Sequence, residues 1–125
     1  MSLVLVADDD PDICEMVAIK LELHGHRVIT VHDGAMALDA IRTQPPDLAL
    51  LDVSMPELSG WEVCRQVRAN TATADLPVIF ITARAQDADI ETGFNTGADD
   101  YICKPFSPRE LVERVEHILA RADHR

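Results

Sequence analysis

The sequence predicts one α/β domain over residues 1–125, built on a five-stranded parallel sheet with helices on both faces. Five short apolar runs rich in β-branched residues recur along the chain, and segments with helical spacing separate them. The runs are continuous rather than alternating, which is typical of parallel strands covered on both faces. Strict alternation of strands and helices implies right-handed crossovers between parallel strands.

The predicted strands coincide with the five apolar runs. They are LVLVA (3–7), RVITV (27–31), DLALL (47–51), PVIFIT (77–82) and YIC (101–103). In an open parallel sheet, ligands bind at the carboxyl ends of the strands, where the strand order reverses. The residues that end these runs are therefore the first place to look for a functional site.

Three helices are predicted in the first half of the chain. The first begins at Pro11, behind Asp10 as its N-cap, and ends near Gly25. The second follows Gly34 and the third follows Gly60. The expected inward-facing residues, in chain order, are Ile13, Val17 and Leu21; Ala37, Leu38 and Ile41; and Trp61, Cys64 and Val67.

The last two predicted helices differ in strength. A segment over 86–95 has few large apolar residues and contains a glycine, so we expect its hold on the sheet to be loose. The final helix opens with the capping box SPRE, in which Ser107 is the N-cap, Pro108 is the first helical residue and Glu110 follows. Its apolar stripe comprises Leu111, Val115, Ile118 and Leu119.

Composition narrows the classes of partner. The net charge of -11, from 22 acidic and 11 basic residues, disfavours direct binding to nucleic acid or to an anionic membrane. No apolar run approaches the roughly 20 residues of a membrane span, and no signal sequence opens the chain. We therefore expect a cytoplasmic protein whose partners are proteins or cations. Cys14, Cys64 and Cys103 share no metal-binding spacing and are expected to be reduced.

An acidic cluster follows the first predicted strand, in the sequence VADDDPD (6–12). Two carboxylates about 4 Å apart repel by roughly 4 kcal/mol at an effective dielectric near 20, so the cluster needs a cation. If the first and third strands are neighbours, about 4.8 Å apart, then Asp8, Asp9 and Asp52 converge. Carboxylates in an open, hydrated site favour Mg²⁺. Asp10 and Asp12 are better explained as cap and first-turn residues.

Two further polar residues end the later strands. Lys104 is one of only two lysines among eleven basic residues, and it follows the fifth run directly. Thr82 ends the fourth run and offers a hydroxyl at the same edge. Together with Mg²⁺, an ammonium and a hydroxyl could hold the oxygens of a phosphoryl group. Asp52 stands alone at its strand end and is the best candidate to accept that group as an aspartyl phosphate.

These residues resemble the receiver domains of two-component response regulators over essentially the whole chain. The matching segments, in order, are VADDD, LLDVSMPELSG, FITA and DYICKPF. Four such segments in this order and spacing are specific to the family. The resemblance implies a flavodoxin-like fold with strand order 2-1-3-4-5.

The resemblance also implies a role for each site position. Asp52 corresponds to the phosphoacceptor, and Asp8 and Asp9 to the acidic pair that holds Mg²⁺. The backbone carbonyl of Ser54 corresponds to the remaining protein ligand. Thr82 corresponds to the switch hydroxyl and Lys104 to the lysine that contacts the phosphoryl group. The peptide bond from Lys104 to Pro105 corresponds to a bond that is cis in the family. Tyr101 occupies the position of the aromatic switch residue.

The mechanism implied is signalling rather than turnover of a substrate. A phosphohistidine on a sensor histidine kinase or a histidine phosphotransfer protein would donate its phosphoryl group to Asp52. The domain would assist its own phosphorylation and dephosphorylation. The segment 86–95, the last strand and the last helix would then shift and control an output domain or a downstream protein. We expect any output domain to lie outside these 125 residues.

Other interpretations of the same residues remain open. The last helix carries an outer charged face, which could serve a phosphorylation-dependent homodimer; it comprises Arg109, Glu113, Arg114 and Glu116. Asp8 followed by Asp10 resembles the nucleophile motif of haloacid-dehalogenase-like phosphatases, although Pro11 leaves little room for their loop. A receiver-like module that binds partners without phosphorylation is a third alternative. The five histidines share no common spacing and receive no role.

Overall fold

The computed structural model describes residues 2–83 and 97–122. In chain order its strands are β1 (Leu3–Ala7), β2 (Arg27–Val31), β3 (Leu48–Asp52), β4 (Val78–Thr82) and β5 (Asp100–Cys103). Its helices are α1 (Pro11–Leu23), α2 (Gly34–Thr43), α3 (Gly60–Ala69) and α4 (Pro108–Ala122). The helix predicted over 86–95 lies outside the described residues. Each predicted strand is confirmed to within one residue at either end.

All five strands belong to one parallel sheet with the order β2-β1-β3-β4-β5, as the resemblance implied. The strand order reverses between β1 and β3, which lie side by side with Ala7 opposite Leu51. Asp52 lies opposite Ile81 of β4. The carboxyl ends of β1, β3 and β4 therefore meet at the middle of one edge of the sheet.

The sheet has a hydrophobic core on each face, which explains the continuous apolar runs. Alternate residues of each strand point to opposite faces. Leu5 and Leu51 pack with α2 and α3 on one face, whereas Val6 and Leu50 pack with α1 and α4 on the other. The prediction of helices on both faces is confirmed by these two clusters.

Helix starts follow the predicted caps. The Asp10 carboxylate accepts a hydrogen bond from the Asp12 N–H at 2.9 Å, which confirms its role as N-cap. The Ser107 hydroxyl accepts one from the Glu110 N–H at 3.0 Å, and α4 begins at Pro108. These interactions satisfy N–H groups that the first helical turn leaves without a partner.

Two of the predicted inward-facing residues are only partly buried. Cys14 rather than Ile13 is the first buried residue of α1. On α3, Val63 is fully buried, whereas Trp61 is only partly buried at the edge of the core. Both Ile13 and Trp61 nevertheless pack against the core of their own face, so the predicted faces are correct and only the degree of burial differs.

Arg68, in the last turn of α3, connects that helix to the starts of β4 and β5. Its Nε donates to the Gly97 carbonyl oxygen at 3.0 Å, and its Nη1 donates to the carbonyl oxygens of Ala74 and Leu76 at 3.2 and 2.6 Å. Its Nη2 donates to Gly97 O at 2.7 Å and to Asp99 Oδ2 at 3.2 Å. All five guanidinium N–H groups are thereby used.

No helix within residues 2–83 and 97–122 combines the length and the apolar character needed to cross a bilayer.

Candidate functional site

Three carboxylates converge at the carboxyl ends of β1 and β3. Asp8 is fully buried, Asp52 is 4% exposed and Asp9 is exposed. One oxygen from each of the three lies within 4.8 Å of the others. The predicted convergence of these residues is therefore present, and it follows from the adjacency of β1 and β3 in the sheet.

Lys104 brings a positive charge to the same place from the end of β5. Its Nζ lies 2.9 Å from Asp8 Oδ2 and 3.5 Å from Asp52 Oδ2. Its backbone N–H donates to the Thr82 carbonyl oxygen at 2.7 Å, and the Lys104 to Pro105 peptide bond is cis. The side chain is 21% exposed, so the ion pairs are largely shielded from solvent.

The electrostatics of the site favour a further cation. Burial and the neighbouring Asp8 carboxylate raise the pKa of Asp52 from 3.8 to about 7, against the opposing influence of Lys104. Burial disfavours the charged form of Lys104, but contact with Asp8 and Asp52 outweighs it and raises the pKa of Lys104. One ammonium therefore does not fully compensate the clustered carboxylates.

The donor set fits a hard divalent ion. Asp8 Oδ1 accepts the Asp10 N–H at 2.9 Å, whereas Asp8 Oδ2 has the Lys104 ion pair but no well-aligned hydrogen bond among the described residues. Exposed Asp9 leaves one side of the cluster open to water. Oxygen ligands with room for water suit Mg²⁺, which keeps part of its hydration shell in proteins.

The loop after β3 begins at the site. The Ser54 N–H donates to Asp52 Oδ1 at 3.2 Å, which holds the carboxylate and lowers its pKa slightly. The Val53 N–H donates to the Ile81 carbonyl oxygen at 3.0 Å and extends the β3–β4 pairing by one residue. Ser54 is exposed directly beside Asp52, where the predicted carbonyl ligand was expected.

The two predicted switch residues lie on β4 and β5. Thr82 is 1% exposed at the carboxyl end of β4, opposite Cys103. Tyr101 is 7% exposed, lies opposite Phe80 and belongs to the core between the sheet and helices α2 and α3. Thr82 therefore lies at the same edge as Asp52, and Tyr101 lies further back along the neighbouring strand.

Two residues beside the site were not predicted to matter. His32 Nδ1 lies 3.1 Å from the Asp8 carbonyl oxygen, and Cys14 Sγ lies 3.4 Å from the same oxygen. Burial and the charge of Asp8 raise the pKa of Cys14 to about 11, so the thiol stays protonated and can donate. Once β2 is known to adjoin β1, His32 is expected beside Asp8, because it follows Val31 directly.

The charged face of α4 is largely paired within the chain. Arg109 Nε lies 3.1 Å from Glu113 Oε1, and Arg114 Nη1 lies 2.9 Å from Asp100 Oδ1. Glu116 Oε1 lies 2.9 Å from His26 Nε2, a side-chain contact that the sequence did not indicate. The homodimer expected at this face remains a prediction.

The response regulator receiver domain model matches residues 4–116, and the chain belongs to that family. It is 43% identical over 118 residues to the DNA-binding response regulator MtrA of Mycolicibacterium smegmatis, covering 94% of this chain and 50% of MtrA. It is 41% identical over 123 residues to the DNA-binding dual master transcriptional regulator RpaA of Synechocystis, covering 98% of this chain and 51% of RpaA. The chain thus spans about half the length of these relatives.

Solved structures agree with the family. The Francisella response regulator 1452 receiver domain superposes with a TM-score of 0.91 at 35% identity, covering 97% of this chain and 98% of that one. The chain is a receiver domain of two-component response regulators, and such domains are signalling proteins rather than classical enzymes. Receiver domains typically bind Mg²⁺ at an acidic pocket, and this structure contains a cluster of three aspartates, Asp8, Asp9 and Asp52.

Proposed function

We propose that Asp52 is the phosphoacceptor of this domain and that Asp8, Asp9, Asp52 and the Ser54 carbonyl hold Mg²⁺ beside it. The observation that carries this proposal is the convergence of three carboxylates within 4.8 Å, with the Lys104 ammonium 3.5 Å from Asp52. When bound, Mg²⁺ would neutralise charge on the acceptor and on the phosphoryl oxygens.

The choice of acceptor rests on exposure and pairing. Asp8 is fully buried and is closely paired with Lys104, so it is less accessible to a phosphoryl donor than Asp52. Asp9 is exposed but lacks an ion pair with Lys104 among the described contacts. Asp52 lies at the end of β3, slightly exposed, with Lys104 and the Ser54 N–H on its two oxygens. It combines access with groups that orient its carboxylate.

The reaction would transfer a phosphoryl group from a phosphohistidine of a sensor histidine kinase or histidine phosphotransfer protein. The bond from phosphorus to the imidazole nitrogen breaks as the bond to an Asp52 oxygen forms, and the imidazole takes up a proton. Lys104 contributes positive charge to the transferred group, and the protein supplies position rather than a general base. The same residues would orient a water in the separate hydrolytic step, in which the bond from phosphorus to the Asp52 oxygen breaks as water attacks phosphorus and inorganic phosphate leaves.

The signal would pass through β4 and β5. New phosphoryl oxygens on Asp52 would attract Lys104 and the Thr82 hydroxyl. Tyr101 follows as the proposed second switch residue, because it lies on the strand that neighbours Thr82, opposite Phe80. A shift of this kind needs two packed arrangements of the same strands, between which the phosphoryl group biases the equilibrium.

The biological setting is proposed from the relatives and from the net charge rather than from the geometry of the site. We propose that residues 1–125 act as a single receiver domain in the cytoplasm and control an output domain or a separate protein. The relatives MtrA and RpaA are about twice as long as this chain, and MtrA and RpaA are both named as DNA-binding regulators. These two facts favour a DNA-binding output domain. The net charge of -11 supports a receiver that does not itself bind nucleic acid.

The proposal is tested by incubation with phosphoramidate and Mg²⁺ followed by intact mass measurement. Wild-type protein should gain one phosphoryl group, and Asp52→Asn should gain none. Asp39→Asn, which removes an exposed carboxylate on α2, is the matched control and should be modified normally. An unmodified wild type that also binds no Mg²⁺ would instead support the module that acts without phosphorylation.

A further inference from the structure

The start of α2 and the loop after β3 approach each other unusually closely. Gly34 is buried, and its N–H donates to the Pro56 carbonyl oxygen at 3.2 Å. A Cβ placed on Gly34 would lie 1.9 Å from the Leu58 carbonyl oxygen and 2.6 Å from the Leu58 Cβ. No side chain fits there unless the backbone of the loop retreats, so the contact requires glycine.

The part of the loop that touches Gly34 has a strained backbone. Glu57 has a φ of 70°, in the left-handed region that residues with a Cβ rarely occupy. The Leu58 N–H donates to the Pro56 carbonyl oxygen at 2.8 Å, which closes a tight three-residue turn around Glu57. Such a conformation persists only where neighbouring structure holds it. Gly34 supplies that support, because its N–H binds the same Pro56 oxygen.

The opposite part of the loop is attached to the rest of the fold by two hydrogen bonds. The Val53 N–H donates to Ile81 O at 3.0 Å, and the Gly60 N–H donates to Val53 O at 3.0 Å. Ser54 lies between this fixed part and the turn that Gly34 supports. A displacement of the turn would therefore reach Ser54, whose N–H holds Asp52 Oδ1.

We propose that Gly34 is a positioning residue that sets the preference of the acidic site for Mg²⁺ over Ca²⁺, by fixing where the loop places the Ser54 carbonyl. This inference rests on the proposed metal site. Mg²⁺ requires a near-octahedral shell with ligands at about 2.0–2.1 Å, whereas Ca²⁺ accepts longer and less regular coordination. A displaced carbonyl therefore weakens Mg²⁺ binding more than Ca²⁺ binding.

The test compares the two ions by calorimetric titration of Gly34→Ala and wild type. We expect the Kd for Mg²⁺ to rise about tenfold in the variant. Changes of this size are typical when a residue that orients a metal ligand is altered. The Kd for Ca²⁺ should rise clearly less, so that the ratio of the two constants changes. Loss of stability alone would weaken the binding of both ions to the same extent and leave the ratio of the two Kd values unchanged.

Gly25→Ala is the matched control. Gly25 has a φ of 88°, so alanine is strained there, but a Cβ at this position meets nothing within 4 Å. The control variant should lose stability while keeping the wild-type ratio of Mg²⁺ to Ca²⁺ affinity. A folded Gly34→Ala with an unchanged ratio would overturn the role of Gly34 and leave the metal site standing. A wild type that binds neither ion would overturn both.

Hydrogen exchange on the wild-type protein decides the matter if Gly34→Ala does not fold. Linkage is reciprocal, so a contact that favours Mg²⁺ must itself be stabilised by Mg²⁺. Saturating Mg²⁺ should slow exchange of the Gly34 and Leu58 amides several-fold. The amides of Gly25 and His26, which bind Glu22 O and Leu21 O, should not respond. Equal exchange of Gly34 and Leu58 with and without Mg²⁺ would overturn the proposal.

Discussion

The Lys104 ammonium lies closer to Asp8, at 2.9 Å, than to the proposed acceptor Asp52, at 3.5 Å. In the unmodified protein Lys104 is therefore mainly the counter-ion of a fully buried carboxylate. A phosphoryl group on Asp52 would offer a more strongly charged partner within reach. We expect phosphorylation of Asp52 to reverse this preference.

Removing the ammonium should separate phosphate acceptance from signalling. We expect Lys104→Ala still to accept a phosphoryl group on Asp52 but not to produce the downstream response. The variant should also lose roughly 1–3 kcal/mol of unfolding free energy, because the buried Asp8 carboxyl group is left without its ammonium partner. Urea unfolding and an output assay measure the two effects. Normal signalling by Lys104→Ala would show that its charge plays no part in the switch.

The raised pKa of Asp52 predicts a particular dependence of stability on pH. An acid with a raised pKa in the folded state destabilises that state as the pH rises. The loss of stability takes place between the pKa of Asp52 in the unfolded chain, 3.8, and its pKa in the folded protein, about 7. Asp52→Asn removes this contribution, so above pH 7 it should be more stable than wild type by roughly 1–3 kcal/mol. The advantage should vanish near pH 4. A variant less stable than wild type at pH 8 without Mg²⁺ would contradict the assignment.

Binding of Mg²⁺ should depend on the same titration of Asp52, but here a rise in pH favours binding, whereas it lowers the stability of the ion-free protein. Below about pH 7 Asp52 must lose a proton before its oxygen can bind the ion. The affinity for Mg²⁺ should therefore fall as pH decreases, by up to about tenfold per pH unit, and level off above pH 7. Calorimetry in buffers of different ionisation enthalpy should detect release of a proton near pH 6. An affinity for Mg²⁺ that does not change between pH 5 and 8 would exclude Asp52 as a titrating ligand.

Arg68 should be a major source of stability at the opposite edge of the sheet. Lysine cannot reproduce its five hydrogen bonds, so Arg68→Lys should lower the free energy of unfolding by roughly 2–3 kcal/mol. Arg65→Lys on the same helix is the control, because Arg65 is 64% exposed and, within residues 2–83 and 97–122, its side chain forms one surface pair, with Glu62. The control should change stability by less than about 0.5 kcal/mol. Equal effects of the two variants would argue against the network.

The architecture could be predicted because each strand carries its own signal. The run LALLD of β3 is buried at every position, and only a strand covered on both faces tolerates that pattern. The convergence of Asp8 and Asp52 then depends on one further fact, the adjacency of β1 and β3. That adjacency came from the family resemblance, because no residue pattern within either strand specifies its neighbour.

The remaining features depend on contacts between segments far apart in the chain. Arg68 reaches Gly97 across 29 positions, and His32 reaches Asp8 across 24, with no local spacing to mark either pair. Gly34 reads from sequence as an ordinary helix start, and its contact with Leu58 exists only once α2 and the loop after β3 are packed. Ile13 and Trp61 lie on the predicted inward faces but are only partly buried, because helical period indicates the face of a side chain and not how completely neighbouring elements cover it.

The central claim is that Asp52 is the carboxylate that receives the phosphoryl group. Its most direct test is to phosphorylate wild-type protein with phosphoramidate at about pH 8, where Asp52 is charged, and to locate the phosphoryl group by peptide mass spectrometry. We predict modification of Asp52 that requires Mg²⁺ and disappears with a chelator. A phosphoryl group on Asp8, as the dehalogenase-like alternative requires, or modification unaffected by the chelator, would contradict the account.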